Sequence, residues 1–271
     1  MSYWRGKCAI VTGAASGIGF ALSTALVELG AKLWIADIDP SALEKAAFRL
    51  GPSVRPVVLD VRDSSAFKSI VERAVGEDGA IDFLFNNAGI LISGETCDFD
   101  TERFDRIIDV NIRGVVNGTM AAYPVMIAQG HGHIVNTASL GGLMPSPLLA
   151  AYGMSKHAVV GLTKSMRFEG EKYGVRFSAI CPGGVDTPML DESGEPKDSR
   201  VSSRPDVRRY LTRLAGKPCK PEVVATEALK GVEKNRDIIV IPGRARLTTH
   251  VYRFAPWLVH SIGRMVLASE R

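Results

Sequence analysis

A tyrosine and a lysine stand four positions apart in the segment "AAYGMSK", at Tyr152 and Lys156. Side chains at i and i+4 share one face of a helix, so the two groups should lie close together. A tyrosine with its ordinary pKa of about 10 is a poor base at neutral pH, and a nearby ammonium favours the phenolate. The pair can therefore move a proton to or from a hydroxyl group. Alone, the same spacing is also typical of an amphipathic surface pair.

A serine, Ser139, precedes Tyr152 by thirteen positions, at the end of an apolar run. Its hydroxyl can donate to a substrate oxygen and stabilise developing negative charge. Alone, it is equally consistent with a turn residue at the end of a strand. Two histidines are other possible bases, but His133 falls at the start of a strand and His157 on a different helix face from Lys156. We interpret both histidines as structural.

The segment "TGAASGIG" places Gly13, Gly17 and Gly19 between an apolar strand and the start of a helix. Glycine lets the backbone turn tightly and approach a pyrophosphate, and the helix N-terminus offers free N–H groups. The spacing is G-x-x-x-G-x-G rather than the commonest dinucleotide fingerprint, so the glycines alone are weak evidence. Their place in the first strand–helix unit favours a nucleotide site.

Asp37 ends the second apolar run, "KLWIAD", about twenty residues beyond the glycine loop. A carboxylate there can accept hydrogen bonds from the adenosine ribose hydroxyls and would repel a 2′-phosphate. The loop itself contains no lysine or arginine. Both observations favour NAD over NADP. The alternative interpretation is a strand-end residue that caps the next turn.

Seven short β-branched runs alternate with helical patterns along the chain. The runs are apolar nearly throughout, which is typical of parallel strands covered on both faces. Alternation with short links predicts an α/β fold, a single Rossmann-type doubly wound parallel sheet of about seven strands with helices on both faces. The predicted strands are 8–13, 32–37, 55–61, 81–89, 132–139, 175–183 and 236–242, and the predicted helices are 16–30, 40–50, 64–76, 101–129, 150–174 and 221–235.

Composition narrows the class of protein. The 271 residues are 46% hydrophobic and 23% charged, as expected for a globular protein with a sizeable core. The net charge of +4 does not indicate a nucleic-acid partner, which usually needs a concentrated basic stripe. The four cysteines lack metal-ligand spacing, so we expect no metal site and reduced thiols. The first residues contain no signal peptide or membrane span, which favours a cytoplasmic protein.

Taken together, "TGAASGIG", "NNAG", "SLGG" and "YGMSK" closely resemble the motifs of the short-chain dehydrogenase/reductase family. The resemblance extends over about residues 5 to 242, and the order and spacing of the motifs carry it. It implies an NAD-dependent oxidoreductase that interconverts a secondary alcohol and a ketone, with Tyr152 as general base or acid. It also implies a homodimer or homotetramer.

The resemblance assigns roles position by position. It implies a catalytic tetrad of Asn111, Ser139, Tyr152 and Lys156, in which Asn111 anchors a water that links Lys156 to bulk solvent. The Lys156 ammonium can also hold the nicotinamide ribose hydroxyls. The cofactor-binding residues that the resemblance implies are Thr12, Gly13, Ser16, Gly17, Ile18, Gly19, Asp37, Asp60, Val61, Asn87, Ala88, Gly89, Tyr152, Lys156, Pro182, Gly183, Val185 and Thr187.

Three segments should enclose the substrate, because ligands bind beyond the carboxyl ends of the strands in such a sheet. They are residues 90–96, 140–150 and 189–210. Their apolar content predicts a pocket for an apolar secondary alcohol or ketone, lined by Leu143, Met144, Leu148, Leu149, Met189 and Leu190. The third segment is polar and contains Pro196 and Pro205, so we interpret 189–217 as a solvated, mobile lid. A basic group in it could instead bind an acidic substrate: Arg200, Arg204, Arg208 or Arg209.

The chain beyond the seventh strand departs from the compact members of that family. We divide the single domain 1–271 into a core (5–242), the lid and a C-terminal tail (243–271). The tail predicts two short amphipathic helices split at Pro256, with apolar Phe254, Trp257, Leu258, Ile262, Met265 and Val266 and basic Arg244, Arg246, Arg253 and Arg264. Packing on the protein is the first hypothesis, cover of a dimer partner or the substrate mouth the second, and contact with a membrane surface the third.

Two other functions use the same scaffold. One is a regulator that binds NAD without turnover, although such a protein has no need of a proton-transfer pair. The other is a lyase or epimerase, which uses the tyrosine and lysine without net redox change.

Overall fold

The computed structural model describes residues 3–191 and 206–268 of the chain. Its centre is a seven-stranded sheet in the order β3-β2-β1-β4-β5-β6-β7, with every neighbouring pair parallel. The strands are β1 (Cys8–Thr12), β2 (Lys32–Asp37), β3 (Val54–Val58), β4 (Phe83–Asn86), β5 (Gly132–Thr137), β6 (Val175–Pro182) and β7 (Ile238–Ile241). The predicted Rossmann-type fold is confirmed, and all seven predicted runs form strands.

Helices surround this sheet. Within the described ranges they are α1 (Gly17–Glu28), α2 (Pro40–Leu50), α3 (Ser64–Asp78), α4 (Thr101–Ile107), α5 (Gly114–Gln129), α6 (Ala150–Glu171), α7 (Val207–Ala215), α8 (Pro221–Glu233), α9 (Gly243–Phe254) and α10 (Pro256–Ala268). The predicted helix 101–129 is interrupted by a π-helical segment, Ile108–Arg113, between α4 and α5. Helix α7 lies in the segment that we interpreted as a polar lid, and this part of the segment is helical.

Local capping explains why some predicted boundaries hold. Helix α2 begins where predicted because the Asp39 carboxylate accepts hydrogen bonds from the backbone N–H groups of Ser41 and Ala42, and Pro40 occupies the first turn. Asp63 caps α3 in the same way through Ser65 and Ala66. These carboxylates satisfy N–H groups that the helix leaves unpaired.

The hydrophobic core has two layers, one on each face of the sheet. Successive strand residues alternate between them. Val11 and Ile35 pack in the layer that contains residues of α1 and α8, whereas Ile10 and Trp34 pack in the layer that contains residues of α3 and α5. Both faces of the sheet are therefore buried, which explains why the strands are continuous apolar runs in the sequence.

The C-terminal tail folds as the two predicted helices, which meet at Pro256. Helix α9 packs against β7 and buries Ala245, and α10 contacts α7 and α9. The tail therefore packs on the protein, as the first hypothesis proposed. Within the described residues, no helix combines the length and hydropathy that crossing a bilayer would require.

Candidate active site

The glycine loop joins β1 to α1 and has a backbone that side chains would obstruct. Gly13 and Gly17 have φ angles of +62° and +53°, which L-residues rarely adopt. A Cβ atom on Gly13 would lie 2.8 Å from the Cα of Ala88, and one on Gly19 would lie 2.0 Å from the carbonyl oxygen of Gly13. Gly13 and Gly17 line the cleft, but Gly19 does not, because it packs beneath the loop.

A network of hydrogen bonds ties the ends of β1, β4 and β5 together. The Thr12 hydroxyl accepts from the backbone N–H of Asn87 at 3.0 Å and of Ala88 at 3.1 Å. The Asn87 amide donates to the Thr12 carbonyl at 3.1 Å and accepts from the Thr137 hydroxyl, also at 3.1 Å. These bonds hold Asn87, Ala88 and Gly89 along the wall of the cleft.

Two carboxylates stand at the far end of the cleft. Asp37 lines it and accepts a hydrogen bond from the Ala15 N–H at 3.0 Å, so the acid also supports the glycine loop. Asp60 is paired with Arg62, whose Nε lies 2.9 Å from the carboxylate. The side-chain hydrogen bond from Arg62 lowers the pKa of Asp60. Val61 and Arg62 line the cleft as well, and sequence reasoning missed the arginine.

Three of the four proposed catalytic side chains converge where α6 meets the sheet. Tyr152 lies in the first turn of α6 and its side chain is hydrogen-bonded to the Ser139 hydroxyl. The Ser139 hydroxyl in turn accepts from the N–H of Gly141 at 3.1 Å. Lys156, one turn further along, is 4% exposed, and its ammonium donates to the Thr137 carbonyl at 2.8 Å. The Lys156 Nζ lies 5.5 Å from the centre of the Tyr152 ring.

Burial dominates the electrostatics of this pair. It raises the pKa of Tyr152, and the hydrogen bond from Ser139 offsets only part of the rise. Burial also lowers the pKa of Lys156 to about 8. The structure therefore contradicts the prediction of a lowered tyrosine pKa, because loss of hydration penalises the phenolate more than its neighbours stabilise it.

Asn111 lies behind the cleft rather than in its wall. It is fully buried in the π-helical segment, a local geometry that is frequent at functional sites. Its amide group donates to the Ile90 carbonyl at 2.9 Å and to the Ser155 hydroxyl at 3.1 Å, and it accepts from the Ile90 N–H at 2.8 Å. A Cβ on Gly89 would lie 3.2 Å from the Asn111 amide oxygen and 3.5 Å from the Lys156 Nζ. Asn111 thus lies on the side of Gly89 that faces Lys156.

The segment after β6 closes the cleft opposite the glycine loop. Pro182, Gly183, Val185 and Thr187 all line the cleft. The Gly183 N–H donates to the Ile241 carbonyl at 2.8 Å, which ties the segment to β7. The Thr187 methyl carbon would lie 3.1 Å from a Cβ on Gly17, so this side chain packs against the glycine loop.

These residues surround one continuous cleft of about 1000 Å³ at the carboxyl ends of the strands. It collects the predicted cofactor-binding residues except Thr12 and Gly19, together with Ser139, Tyr152 and Lys156. The order of the sheet places β1 beside both β2 and β4, and the cleft opens at this reversal of strand order, where doubly wound sheets bind ligands.

The apolar end of the cleft differs in detail from the predicted substrate wall. Met144, Leu149, Met189 and Leu190 line it as predicted. Two predicted wall residues, Leu143 and Leu148, do not. Leu143 packs in the cluster that contains Val159 and Val160, and Leu148 packs in the cluster that contains Leu91 and Tyr210. Both side chains therefore pack in clusters beside the cleft rather than in its wall.

Helices α7 and α10 supply wall residues that sequence reasoning missed. They are Leu211 and Leu214 from α7 and Trp257, Val259, His260, Ile262, Gly263, Arg264 and Leu267 from α10. A signal for α7 was present, because Val207, Tyr210, Leu211 and Leu214 follow the i, i+3, i+4, i+7 spacing of an amphipathic helix. For α10, cover of the cleft was the second hypothesis, and the structure places the helix there.

The arginines considered as anchors for an acidic substrate have other positions. Arg208 forms ion pairs with Asp186 at 2.5 Å and with Asp191 at 2.7 Å. Neither Arg208 nor Arg209 is among the residues that line the cleft. Arg200 and Arg204, like Pro196 and Pro205, lie outside the described residues.

The two histidines have structural surroundings. His133 is buried, its Nε2 is 2.8 Å from the Ser178 hydroxyl, and burial lowers its pKa to about 3. The Nδ1 of His157 lies 2.8 Å from the Gly153 carbonyl within α6. Neither lines the cleft. Within the described ranges, no group of three or more histidine, cysteine or acidic side chains is arranged to hold a metal ion.

Comparisons with known proteins agree with this geometry. The short chain dehydrogenase family model matches residues 7–198. Oxidoreductase UcpA of Escherichia coli (strain K12) is 40% identical over 219 residues, which cover 79% of this chain and 81% of UcpA. A short chain dehydrogenase/reductase from Burkholderia phymatum, solved in complex with NAD, is 31% identical with a TM-score of 0.84 and covers 95% of this chain and 96% of that one. The 3-ketoacyl-(acyl-carrier-protein) reductase from Brucella melitensis, complexed with NADH, is 29% identical with a TM-score of 0.77, over 89% of this chain and 99% of that one.

Proposed function

The chain belongs to the short-chain dehydrogenase family of oxidoreductases, and we propose that it interconverts an apolar secondary alcohol and a ketone with NAD. One observation carries the proposal. Ser139, Tyr152 and Lys156 meet in the same cleft as the glycine loop and Asp37. A proton-transfer group and a nucleotide cradle in one cleft are what reversible oxidation of an alcohol needs.

The residues of the cleft fit a dinucleotide. Gly13 and Gly17 line the cleft at the start of α1, where Ser16 makes no side-chain cap and the helix end favours a pyrophosphate. Asp37 supplies an acceptor for ribose hydroxyls, and its charge disfavours a 2′-phosphate. The cofactor roles of Asp60, Val61, Asn87, Ala88, Gly89, Pro182, Gly183, Val185 and Thr187 are part of this proposal, as are those of Ser16 and Ile18.

In the oxidative direction the alcohol loses a hydride from carbon and a proton from oxygen. Bound NAD would supply the hydride acceptor. Tyr152 takes the hydroxyl proton on its phenolic oxygen, and in the reverse direction returns it to the ketone oxygen. Ser139 donates to the same substrate oxygen and stabilises its negative charge as the proton leaves. The Lys156 ammonium, held at the Thr137 carbonyl, opposes the penalty that burial places on the phenolate during this step, and Asn111 positions α6 through Ser155.

A spectrophotometric assay tests the reaction. Purified protein with NAD and a panel of secondary alcohols should form NADH, detected by its absorbance. Tyr152→Phe should lower turnover by about a thousandfold, within the range by which general acid–base groups accelerate reactions. Tyr173→Phe, which alters a tyrosine outside the cleft just beyond α6, is the matched control and should retain activity. Full activity of Tyr152→Phe would refute the proposed role.

A matched pair of variants tests the preference for NAD over NADP. Asp37→Asn should reduce the preference for NAD over NADP, because it removes the charge that opposes a 2′-phosphate. Asp39→Asn removes a carboxylate two positions away that caps α2 and does not line the cleft, and asparagine can still cap the helix. That control should leave the preference unchanged. A wild-type preference for NADP would contradict the choice of NAD.

The lining predicts which alcohols react. Met144, Leu149, Met189 and Leu211 favour apolar bodies. Medium-chain or cyclic secondary alcohols should therefore have a higher kcat/KM than short polar hydroxy acids. A higher value for the acids would rule out the apolar substrate class.

The alternatives give different results in the same assay. A protein that binds NAD but oxidises no alcohol in a broad panel would favour a regulator, or a lyase or epimerase. The division into a core (5–242), a lid (189–217) and a tail (243–271), the homodimer or homotetramer and the cytoplasmic location stay predictions. Residues 192–205 of the lid lie outside the described residues.

A further inference from the structure

The two C-terminal helices carry the most exposed apolar surface near the cleft. Phe254 is 79% exposed, Trp257 69% and Met265 71%. On α10, Leu258, Ile262 and Met265 follow at i, i+4 and i+7, so they form one stripe along the helix. Exposed apolar surface of this kind usually marks a site of interaction. This stripe and Phe254 are called the tail surface below.

The charge of the same segment is entirely positive. Residues 243–268 contain four arginines, Arg244, Arg246, Arg253 and Arg264, and no aspartate, glutamate or lysine. The whole chain has a net charge of +4, so these four arginines account for all of it and the rest of the chain is balanced. Charge is therefore concentrated beside the tail surface.

Two of these arginines have polar partners in the protein. Arg244 donates to the Lys217 carbonyl, and Arg246 donates to the Val240 carbonyl and lies 3.9 Å from Glu227. Arg253 and Arg264 have no carboxylate partner among the residues that the structure describes, and Arg253 lies 5.8 Å from the ring centre of Phe254. Arginine next to exposed aromatic and aliphatic side chains is the pattern of a helix that lies in a lipid interface.

We propose that the tail surface docks on an anionic lipid bilayer. The apolar side chains of the tail surface enter the boundary between headgroups and acyl chains, and Arg253, which does not line the cleft, contacts the anionic headgroups. A second copy of the chain is a poorer occupant. A two-fold contact through this surface would bring arginines of one copy close to those of the other, with no carboxylate on residues 243–268 to compensate them.

Docking has a consequence for the cleft. Helix α10 presents Trp257, Ile262 and Leu267 to the cleft, so the bound surface would lie beside its opening. An apolar substrate dissolved in the bilayer then has a short path to the site. This consequence rests on the proposed function, whereas the docking itself does not.

Vesicle flotation of the full-length chain tests the docking. Phosphatidylcholine vesicles and phosphatidylcholine vesicles with about one third phosphatidylglycerol are compared at low and high salt. The protein should float with the anionic vesicles at low salt, should be released by high salt, and should stay in the lipid-free fraction with the neutral vesicles. Recovery in the lipid-free fraction with both vesicle types would overturn the proposal.

The chain offers a matched control for the variants. Arg253 and Phe254 are adjacent and exposed on α9, and Phe48 and Arg49 are adjacent and exposed on α2, where Phe48 is 89% exposed. The double variant R253S/F254S should partition at least tenfold more weakly, because one arginine alone contributes about fivefold at an anionic surface. The double variant F48S/R49S should partition like the wild type. Equal loss in both would overturn the proposal.

Size-exclusion chromatography without lipid separates the lipid surface from a second copy. R253S/F254S should elute with the wild type. If that variant dissociates an oligomer and the wild type does not float, the tail surface is an interface between copies and the proposal is wrong. Because both double variants leave the cleft residues intact, NAD binding reports that they are folded, and loss of flotation without loss of turnover would leave the proposed oxidoreductase function standing.

Discussion

The two ends of the cleft are built from different parts of the fold. The cofactor end consists of strand ends and the glycine loop, where backbone atoms stand so close that Gly13 and Gly19 admit no side chain. The substrate end is formed by mostly apolar side chains from loops and from α7 and α10, which lie outside the sheet.

This difference teaches where the molecule can tolerate change. At the cofactor end an added side-chain atom would overlap backbone atoms, and these cannot move without disturbing neighbouring strands. At the substrate end a smaller or larger side chain meets other flexible side chains, whose packing can adjust. We therefore expect variants at the first end to change catalysis, cofactor binding or stability, and variants at the second to change substrate preference.

The largest effect is expected for Lys156→Ala. Turnover should fall by about a hundredfold to ten-thousandfold, and NAD affinity should fall by about tenfold, because one ammonium serves both the proton transfer and the ribose. Tyr152→Phe should lower turnover alone. Isothermal titration calorimetry with NAD distinguishes the role of Lys156 in proton transfer from its role in binding the ribose. An unchanged NAD affinity in Lys156→Ala would contradict the role in binding.

The next effect compares two glycines. Gly19→Ala should destabilise the protein by about 3 kcal/mol or more, because its Cβ would overlap the Gly13 carbonyl at 2.0 Å. Gly76→Ala, inside α3 with no atom within 4 Å of the new Cβ, should be neutral or stabilising by about 0.5 to 1 kcal/mol. Urea unfolding measures both. Similar stabilities for the two variants would mean that the loop is less constrained than the structure indicates.

The lowered pKa of Lys156 also predicts how the stability of the cofactor-free protein depends on pH. Its pKa falls from 10.5 to about 8 on folding, so between these values the unfolded state binds more protons than the folded state. Stability should therefore rise by about 2 kcal/mol from about pH 8 to pH 10. Lys156→Met should lack this rise in a series of urea titrations. A parallel rise in the variant would assign it to other groups.

The smallest effect is expected at the substrate end. Leu211→Ala should lower kcat/KM for a bulky apolar alcohol by about tenfold relative to a small one, since a few methylene groups contribute that much in an apolar pocket. Leu162→Ala alters a leucine of α6 that does not line the cleft and should leave the ratio of the two values unchanged. If Leu211→Ala instead lowered both values equally, the residue would be structural and the comparison between the ends would weaken.

Much of the cofactor end could be predicted from the sequence because its constraints are local. A strand followed by "TGAASGIG" brings the glycines to a helix N-terminus through neighbouring residues, and Asp37 ends the adjacent strand. Parallel strands then bring Asn87, Ser139 and Pro182 to the same edge of the sheet. The spacing of Tyr152 and Lys156 on one helix needs no tertiary information.

The substrate end could not be predicted to the same extent because its contacts join residues far apart in the chain. Whether Leu143 or Met144 faces the cleft depends on how one loop packs, and neighbouring positions of similar hydrophobicity give no way to choose between them. The place of α10 depends on α7, more than forty positions earlier in the chain. The direction in which the Tyr152 pKa shifts could be read only from the structure, because burial depends on every segment that covers the phenol.

The sequence by itself determined the seven strands, the doubly wound sheet, the glycine loop and the order in which the reactive groups follow one another, since alternation, glycine and i, i+4 spacing act within a few residues. Only the tertiary structure decided that Asn111 stands behind the cleft, that Arg208 is held by Asp186 and Asp191, and that the tail lies over the cleft with its apolar stripe exposed. These outcomes depend on which surfaces become covered when distant segments pack, and burial of that kind is a property of the whole fold.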